Sequence, residues 1–554
     1  MALIAPPRRN DCLLAILVTV AAATIGAPRA MGQVSETHSH EIARLGHVTF
    51  PVSCRPESRR RFEHAMAVLH SFWWEEGERA FSAVLEADSA CAMAYWGLAL
   101  NAWGNPFAGG PVGPALARGA EAARRAASQP SPSLREQGFI AAVAALYRDP
   151  ATSSNATRLQ AYADTMQRLY RDLPRDTEVA IYYSLALLAT APRTDTTFAQ
   201  QKRAAAILNP LFARHPNHPG LAHYLIHATD SPKLARLGLN AARRYAQIAP
   251  EAPHAEHMPS HIFVRLGLWD ETIASNWRSF RASTAHANAP GPAGAVSMDY
   301  YHALDYAVYA YLQEGRDSAA RATVTLAQDK AIPTGINPLI NDYNRTAMAA
   351  RVPLERGDWS AAAAFPVADS GVTMGAALSH FTRGLGPARS GNPVAARAEI
   401  AALDAMATEF TGRQEKYWAR VVLIKRDAVE AWARFALADT TAALALVRAA
   451  ADTEEVTDKH PVTPAELLPA RELEADMLLA AGRYQDARQA YRATLTREPR
   501  RARSVFGAAR AAELAGERDS AVAGYREFLQ LMGKSDGHRE ELSTAKAFLR
   551  QAPR

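Results

Sequence analysis

Nine of the chain's 17 histidines fall between His215 and His302. Residues 215–232 read HPNHPGLAHYLIHATDSP, residues 253–271 read PHAEHMPSHIFVRLGLWDE, and residues 297–306 read SMDYYHALDY. Neutral imidazole is the most frequent protein ligand for transition metals, and histidines with a carboxylate suit Zn, Cu, Ni or Fe(II). Pro219 fits the first turn of a helix running to about Thr229. His223 and His227 then stand at i and i+4 on one face, a separation that one ion can bridge. Pro259 predicts a second helix with His261 in its first turn, which leaves His254 and His257 in the loop before it. A third helix, from about Ser297 to Gln313, carries His302 and Asp305 at i and i+3. The candidate ligand set is therefore His223, His227, His257, His261, His302 and Asp305. The competing reading is polar packing, with His227 bonded to a carbonyl and Asp230 and His218 capping helices.

No reaction is legible beside these histidines. The chain has no HExxH, no GxSxG and no GxGxxG after a strand. The Gly/Pro loop NPFAGGPVG at residues 105–113 lacks a following Gly-Lys-Ser/Thr, so it is not a phosphate-binding loop. A metal-dependent hydrolase or oxidoreductase on the His223/His227/His261/His302 cluster would need an open coordination position and a base such as Asp305 or Glu256. A ligand-binding or interaction module needs neither, and is the main expectation.

The elements that must position the histidines are helices. Phe62, Ala65, Leu69, Phe72 and Trp73 recur at helical spacing in a first helix opening near Pro56 or Glu57. Helices then alternate with short turns to the C-terminus, and no convincing long strand appears. A glycine followed five residues later by alanine recurs at Gly315/Ala320, Gly357/Ala362, Gly391/Ala396, Gly482/Ala487 and Gly516/Ala521. The intervals from Gly357 to Gly391 and from Gly482 to Gly516 are both 34 residues, and Tyr491 and Tyr525 keep the second register. The glycine permits a tight turn between antiparallel helices, and the alanine lets them touch. An aromatic two residues on (Trp269, Trp359, Tyr484) plugs the gap.

This pattern resembles the tetratricopeptide repeat (TPR), a helix-turn-helix unit of 34 residues. The resemblance is closest in the last two units and weakens earlier, where Gly77 and Thr272 replace the expected alanine. It implies an all-α fold, an α-solenoid whose concave groove is lined by the first helix of each pair and takes a protein or peptide partner. His223, His227, His261, His302 and Asp305 fall on such first helices and could share one wall. His261 lies six residues before its turn glycine and His302 thirteen, an offset of about 10 Å along a helix. LHSFWWEE, CAMAYWGLAL, HPGLAHYLIHA and HMPSHIFVRLG together are also similar to a group of secreted bacterial repeat proteins. That likeness implies the fold and export, and supplies no reaction.

The 554 residues exceed one compact core and suit an extended array. Formal net charge is +6, a weak excess without clustered Lys and Arg, which argues against nucleic acid as a partner. Arg8 and Arg9, the apolar run Leu13–Gly26 and small residues at Ala30 and Gly32 have the layout of a secretory signal over residues 1–32. An uncleaved anchor is the alternative. No later run is of spanning length, so no integral membrane segment is expected after cleavage. A linker and extended segment follows over 33–55, then degenerate repeats over 56–210, the histidine-rich repeats over 211–330 and the clearest repeats over 331–554. Cys54 and Cys91 remain after the signal. Export, periplasmic or secreted, favours a disulfide between them, worth roughly 3–4.5 kcal/mol by chain entropy, over two inert thiols.

Overall fold

The computed structural model describes residues 44–107, 110–131, 133–149, 151–192, 195–287, 299–328, 338–367 and 371–551. The expected signal at 1–32 and most of the linker lie outside them, as do His38 and His40. The described residues form one compact unit. Its regular structure is helical, with no strand among the described residues, and no described helix is long and apolar enough to cross a membrane.

The described residues form an all-α solenoid of paired helices. Gly267, Gly315, Gly357, Gly391, Gly482 and Gly516 all adopt positive φ, between 64° and 77°, at the inter-helix turns. That backbone is strained for a residue with a Cβ and open to glycine. The small repeat positions are sealed: Ala320, Ala362, Ala396, Ala487 and Ala521 have no exposed surface. Tyr491 shows how the aromatics fit. Its ring occupies the space a Cβ on Gly507 would need, 2.3 Å from the ideal Cβ position, and its hydroxyl donates to Asp476.

The first helix runs Pro56–His70 and buries Phe62, Ala65 and Leu69 as the spacing predicts. Phe72 and Trp73 follow it in a turn rather than continuing it. Phe72 takes φ 52°, a conformation unusual for a bulky residue. Cys54 and Cys91 are bonded to each other, with Cα atoms 4.8 Å apart. The bond ties the extended segment carrying Phe50 to the start of the helix Ala92–Trp103, and Phe50 packs at 5.3 to 5.8 Å against Phe62, Trp96 and Phe139.

One departure from sequence expectation matters for the site. Residues 456–469 form no helix. They lie across the helices Asp299–Gln313 and Pro338–Arg356, held by Tyr306 Oη donating to the carbonyls of Pro461 and Thr463 at 3.3 and 3.2 Å, by Asn344 donating to Val462 O at 2.8 Å and by Arg351. The last repeats also return to the centre of the chain. Trp269 Nε1 donates to Arg500 O at 3.2 Å, and Arg501, fully buried, pairs with Glu355 and Glu472 at 2.8 Å each. The wall that carries the histidines is therefore roofed by the protein's own backbone.

Candidate metal centre

The helix Pro219–Thr229 begins at its proline, which lacks the N–H that a first turn leaves unpaired, and it ends before Asp230. His223 and His227 lie one turn apart on it. The Nδ1 of His223 is 2.7 Å from the carbonyl oxygen of His70. A carbonyl only accepts, so Nδ1 carries the proton and Nε2 keeps its lone pair. His227 Nε2 lies 3.0 Å from that atom.

The third imidazole here is His254, which the sequence assigns to a loop. Instead Pro253–His257 and Pro259–Arg265 are consecutive helical segments, and Met258 between them keeps helical angles of φ −53° and ψ −35°. Pro259 does not start the helix afresh. It removes one backbone donor and leaves a hitch, because the chain is already coiled from Pro253. His254, His257 and His261 thus share one helical stretch, and the HxxHxxxH spacing is real. His254 Nδ1 donates to Asp299 Oδ1 at 2.9 Å, and its Nε2 is buried without a hydrogen-bond partner. One nitrogen each from His223, His227 and His254 lies within 4.8 Å of the others. Phe72 closes this trio from one side, stacked on His254 at 5.6 Å and edge-on to His223 at 4.4 Å, which gives its strained backbone a purpose.

A second trio stands beside the first. His257, His261 and His302 also bring one nitrogen each within 4.8 Å. His257 Nδ1 donates to Asn276 Oδ1 at 2.7 Å, and that amide is fixed by its own Nδ2 donating to Thr272 O. His261 Nδ1 donates to Asp230 Oδ2 at 2.9 Å. The two Nε2 atoms then face each other at 3.1 Å, and the His302 ring lies 4.3 Å from that of His257. The offset expected between His261 and His302 is met because the coiled stretch extends back to His257, one turn nearer. Rings of His254 and His257, one from each trio, are 6.2 Å apart.

The electrostatics suit ligands. Burial drives the His223, His227 and His302 imidazoles well below their usual pKa, and neighbouring histidines add to it. His257 is pushed down to about 3 by burial and the His261 charge. Burial lowers His261 too, against the pull of Asp230. These imidazoles are neutral at pH 7, the form that binds metal. The opposite nitrogens of His223, His254, His257 and His261 are held by a backbone carbonyl, a carboxylate, an amide oxygen and a carboxylate, the arrangement that fixes tautomer and orientation in metal-ligating histidines. Five of the six are buried, and His227 is partly buried. It borders a cavity of about 370 Å³ with Asp230, Arg265 and Lys459.

Three sequence readings need correction. Asp305 does not join the histidines: its buried carboxylate is taken by Arg351 Nε at 2.7 Å and by Asn344 at 3.3 Å. Asp230 caps no helix, since the next one, Ala235–Ile248, begins without a side-chain cap, and it binds His261 and Arg265 instead. His218 likewise makes no cap bond; its Nε2 meets Glu178 Oε1 at 2.9 Å, while His70 Nε2 meets Oε2 at 3.0 Å. That His70–Glu178–His218 group already satisfies its carboxylate and locks the end of the first helix, whose carbonyl aims His223. The residues that sequence reasoning missed are His254, Asp299 and Asn276. Only Pro253, a helix-start signal as good as Pro259, pointed toward the first.

No family model and no curated protein matches this chain. Solved structures similar to it include yeast Tom70, at 11% identity and a TM-score of 0.27 over 89% of this chain and 88% of that one. The TPR domain of P58(IPK) is similar at 13% identity and a TM-score of 0.20 over 68% and 98%. Neither likeness extends to what those proteins bind. On its own turns and packing, this chain is an α-solenoid of antiparallel helix pairs whose glycine turns resemble those of the tetratricopeptide repeat.

Proposed function

We propose that this chain is an exported tetratricopeptide-type scaffold whose ligand is a divalent transition metal, Zn, Cu or Fe, held by buried histidines. One observation carries the reading: six imidazoles converge in two trios, and five of them are pinned through the nitrogen that faces away or are left with a buried, unpaired nitrogen. Buried polar atoms in a finished core are normally paired. Unpaired His254 Nε2, and Nε2 atoms facing each other at about 3 Å with one proton between them at most, are lone pairs placed to share a cation. All-nitrogen neutral sites favour borderline metals over Ca or Mg. Export rests on the leader-like residues 1–32.

The test is elemental analysis of untagged protein purified from its own compartment. At least one equivalent of Zn, Cu or Fe per chain, lost in a His223→Ala/His261→Ala double variant that keeps its helical circular dichroism, supports the reading. Metal-free protein that stays metal-free on dialysis against each ion overturns it.

A protein or peptide partner along the concave wall is the second reading, since solenoids of this kind offer extended binding surfaces. Residues 456–469 cover that wall at Tyr306 and Asn344, so a partner there would have to displace them.

A further inference from the structure

We infer that the centre binds two metal ions per chain and that only one of them is open to an outside ligand. The inference deepens the metal reading and rests on it.

The count follows from the grouping. Zn–N bonds are about 2.0–2.1 Å, so nitrogens on one ion lie no more than about 4.2 Å apart. The six imidazoles group as two sets of three, one nitrogen each within 4.8 Å, so that a small side-chain movement would close each set on its own ion, and the rings of His254 and His257, one from each set, are 6.2 Å apart. Each set has its own carboxylate one bond removed, Asp299 behind His254 and Asp230 behind His261. Each also has its own i, i+4 pair, His223/His227 and His257/His261, on separate helices. The site is duplicated at every level from sequence spacing to hydrogen-bonded support.

The asymmetry follows from exposure. His257, His261 and His302 are 0%, 3% and 4% exposed, and Tyr306 stands over them under the backbone of residues 461–463. An ion held there would be shut off from solvent. In the other set His227 borders the 370 Å³ cavity, whose mouth also carries Phe107, with its ring 4.4 Å from that of His227. Three histidines and a position facing a cavity is the ligand count of an open site.

Charge then selects the outside ligand. Two divalent ions bring four positive charges, and six neutral imidazoles bring none. Asp230 and Asp299 offset two. The cavity lining adds no net charge beyond Asp230, since Arg265, Lys459 and Arg497 are matched by Asp195, Glu455 and Asp458. The remaining positive charge calls for a small anion, hydroxide or a larger oxyanion or pseudohalide, on the ion held by His223, His227 and His254.

The experiment uses the full mature chain stripped of metal, titrated with Co(II) while the visible ligand-field bands are followed, then challenged with azide. The expected result is saturation at two Co(II) per chain. His227→Ala and His302→Ala should each saturate at one. Azide should shift the bands of the wild type and of His302→Ala, and leave those of His227→Ala unchanged. Circular dichroism melts screen each variant for folding, and His227→Asn and His302→Asn replace any alanine variant that fails. Saturation at one Co(II) overturns the inference while leaving the metal reading intact. An azide shift that persists in His227→Ala overturns the assignment of the open ion. No binding at all overturns both.

Discussion

Asp230 joins two residues of one helix turn to the end of another helix: its Oδ2 accepts from His261 Nδ1 and its Oδ1 from Arg265 Nε, each at 2.9 Å. Burial alone would raise the carboxyl pKa, but Lys459, Arg265 and the His261 hydrogen bond carry it well below the usual range. Asp230 is therefore anionic and makes the His261 imidazole a stronger donor to a metal. Asp230→Asn keeps the shape and loses the charge. Metal affinity should fall by about 10- to 100-fold with stoichiometry unchanged, as read by competition with a chromophoric chelator. An unchanged affinity would show that Asp230 serves only Arg265.

Acid should loosen the metal-free protein. His223, His227, His257 and His302 all have folded pKa values depressed below 6.5, His257 to about 3. Between those values and 6.5 the unfolded chain binds more protons, so their contribution is fully present above pH 6.5 and is lost as pH falls. Glu454 acts in the opposite sense, because burial pushes it up to about 8 and its neutral form favours the folded state at low pH. In a Glu454→Gln background, the melting temperature of metal-free protein should drop steadily from pH 7 to pH 5. A flat profile there would mean the histidines are already solvated.

Asp305 should matter for stability and not for metal. It faces Arg351 across a fully buried pair, and the guanidinium also donates to Thr463 Oγ1 and the Ala465 carbonyl. Asp305→Ala leaves that cation unpaired, at a cost of about 3–5 kcal/mol. Chemical denaturation should show the loss while metal stoichiometry of the folded fraction stays at the wild-type value. Loss of one ion would return Asp305 to the ligand set.

The Cys54–Cys91 bond should be worth about 4 kcal/mol, since it closes a loop across a sequence separation of 37 residues. Cys54→Ser/Cys91→Ser should melt lower than wild type, and reductant should lower the wild type alone. Two alkylatable thiols in unreduced protein would mean that the bond does not form.

Much of this was legible from residue spacing. The turn glycines at 315, 357, 391, 482 and 516 announced the helix pairs because a tight turn at positive φ nearly requires glycine, and that constraint is local. His223 and His227 were placed correctly for the same reason, since i and i+4 share a face wherever a helix forms. The reading failed where one local rule met another. Pro259 signals a helix start because proline favours first turns, yet Pro253 has already begun the coil, and a single missing donor is not enough to end it. His254 and the continuous histidine face were lost with that choice.

The repeat architecture and the small set of imidazoles on consecutive helices can be read from spacing alone, because both follow from periodicities of a few residues. How those imidazoles divide is set by packing. Asp299 reaches His254 across 45 positions and Asp230 reaches His261 across 31, while Asp305 is drawn off by Arg351, 46 positions away. A carboxylate pairs with whichever partner the packed helices bring within about 3 Å, since burial makes an unpaired charge too costly to leave. That choice is made by the stacking of helix on helix, to which spacing along the chain is blind.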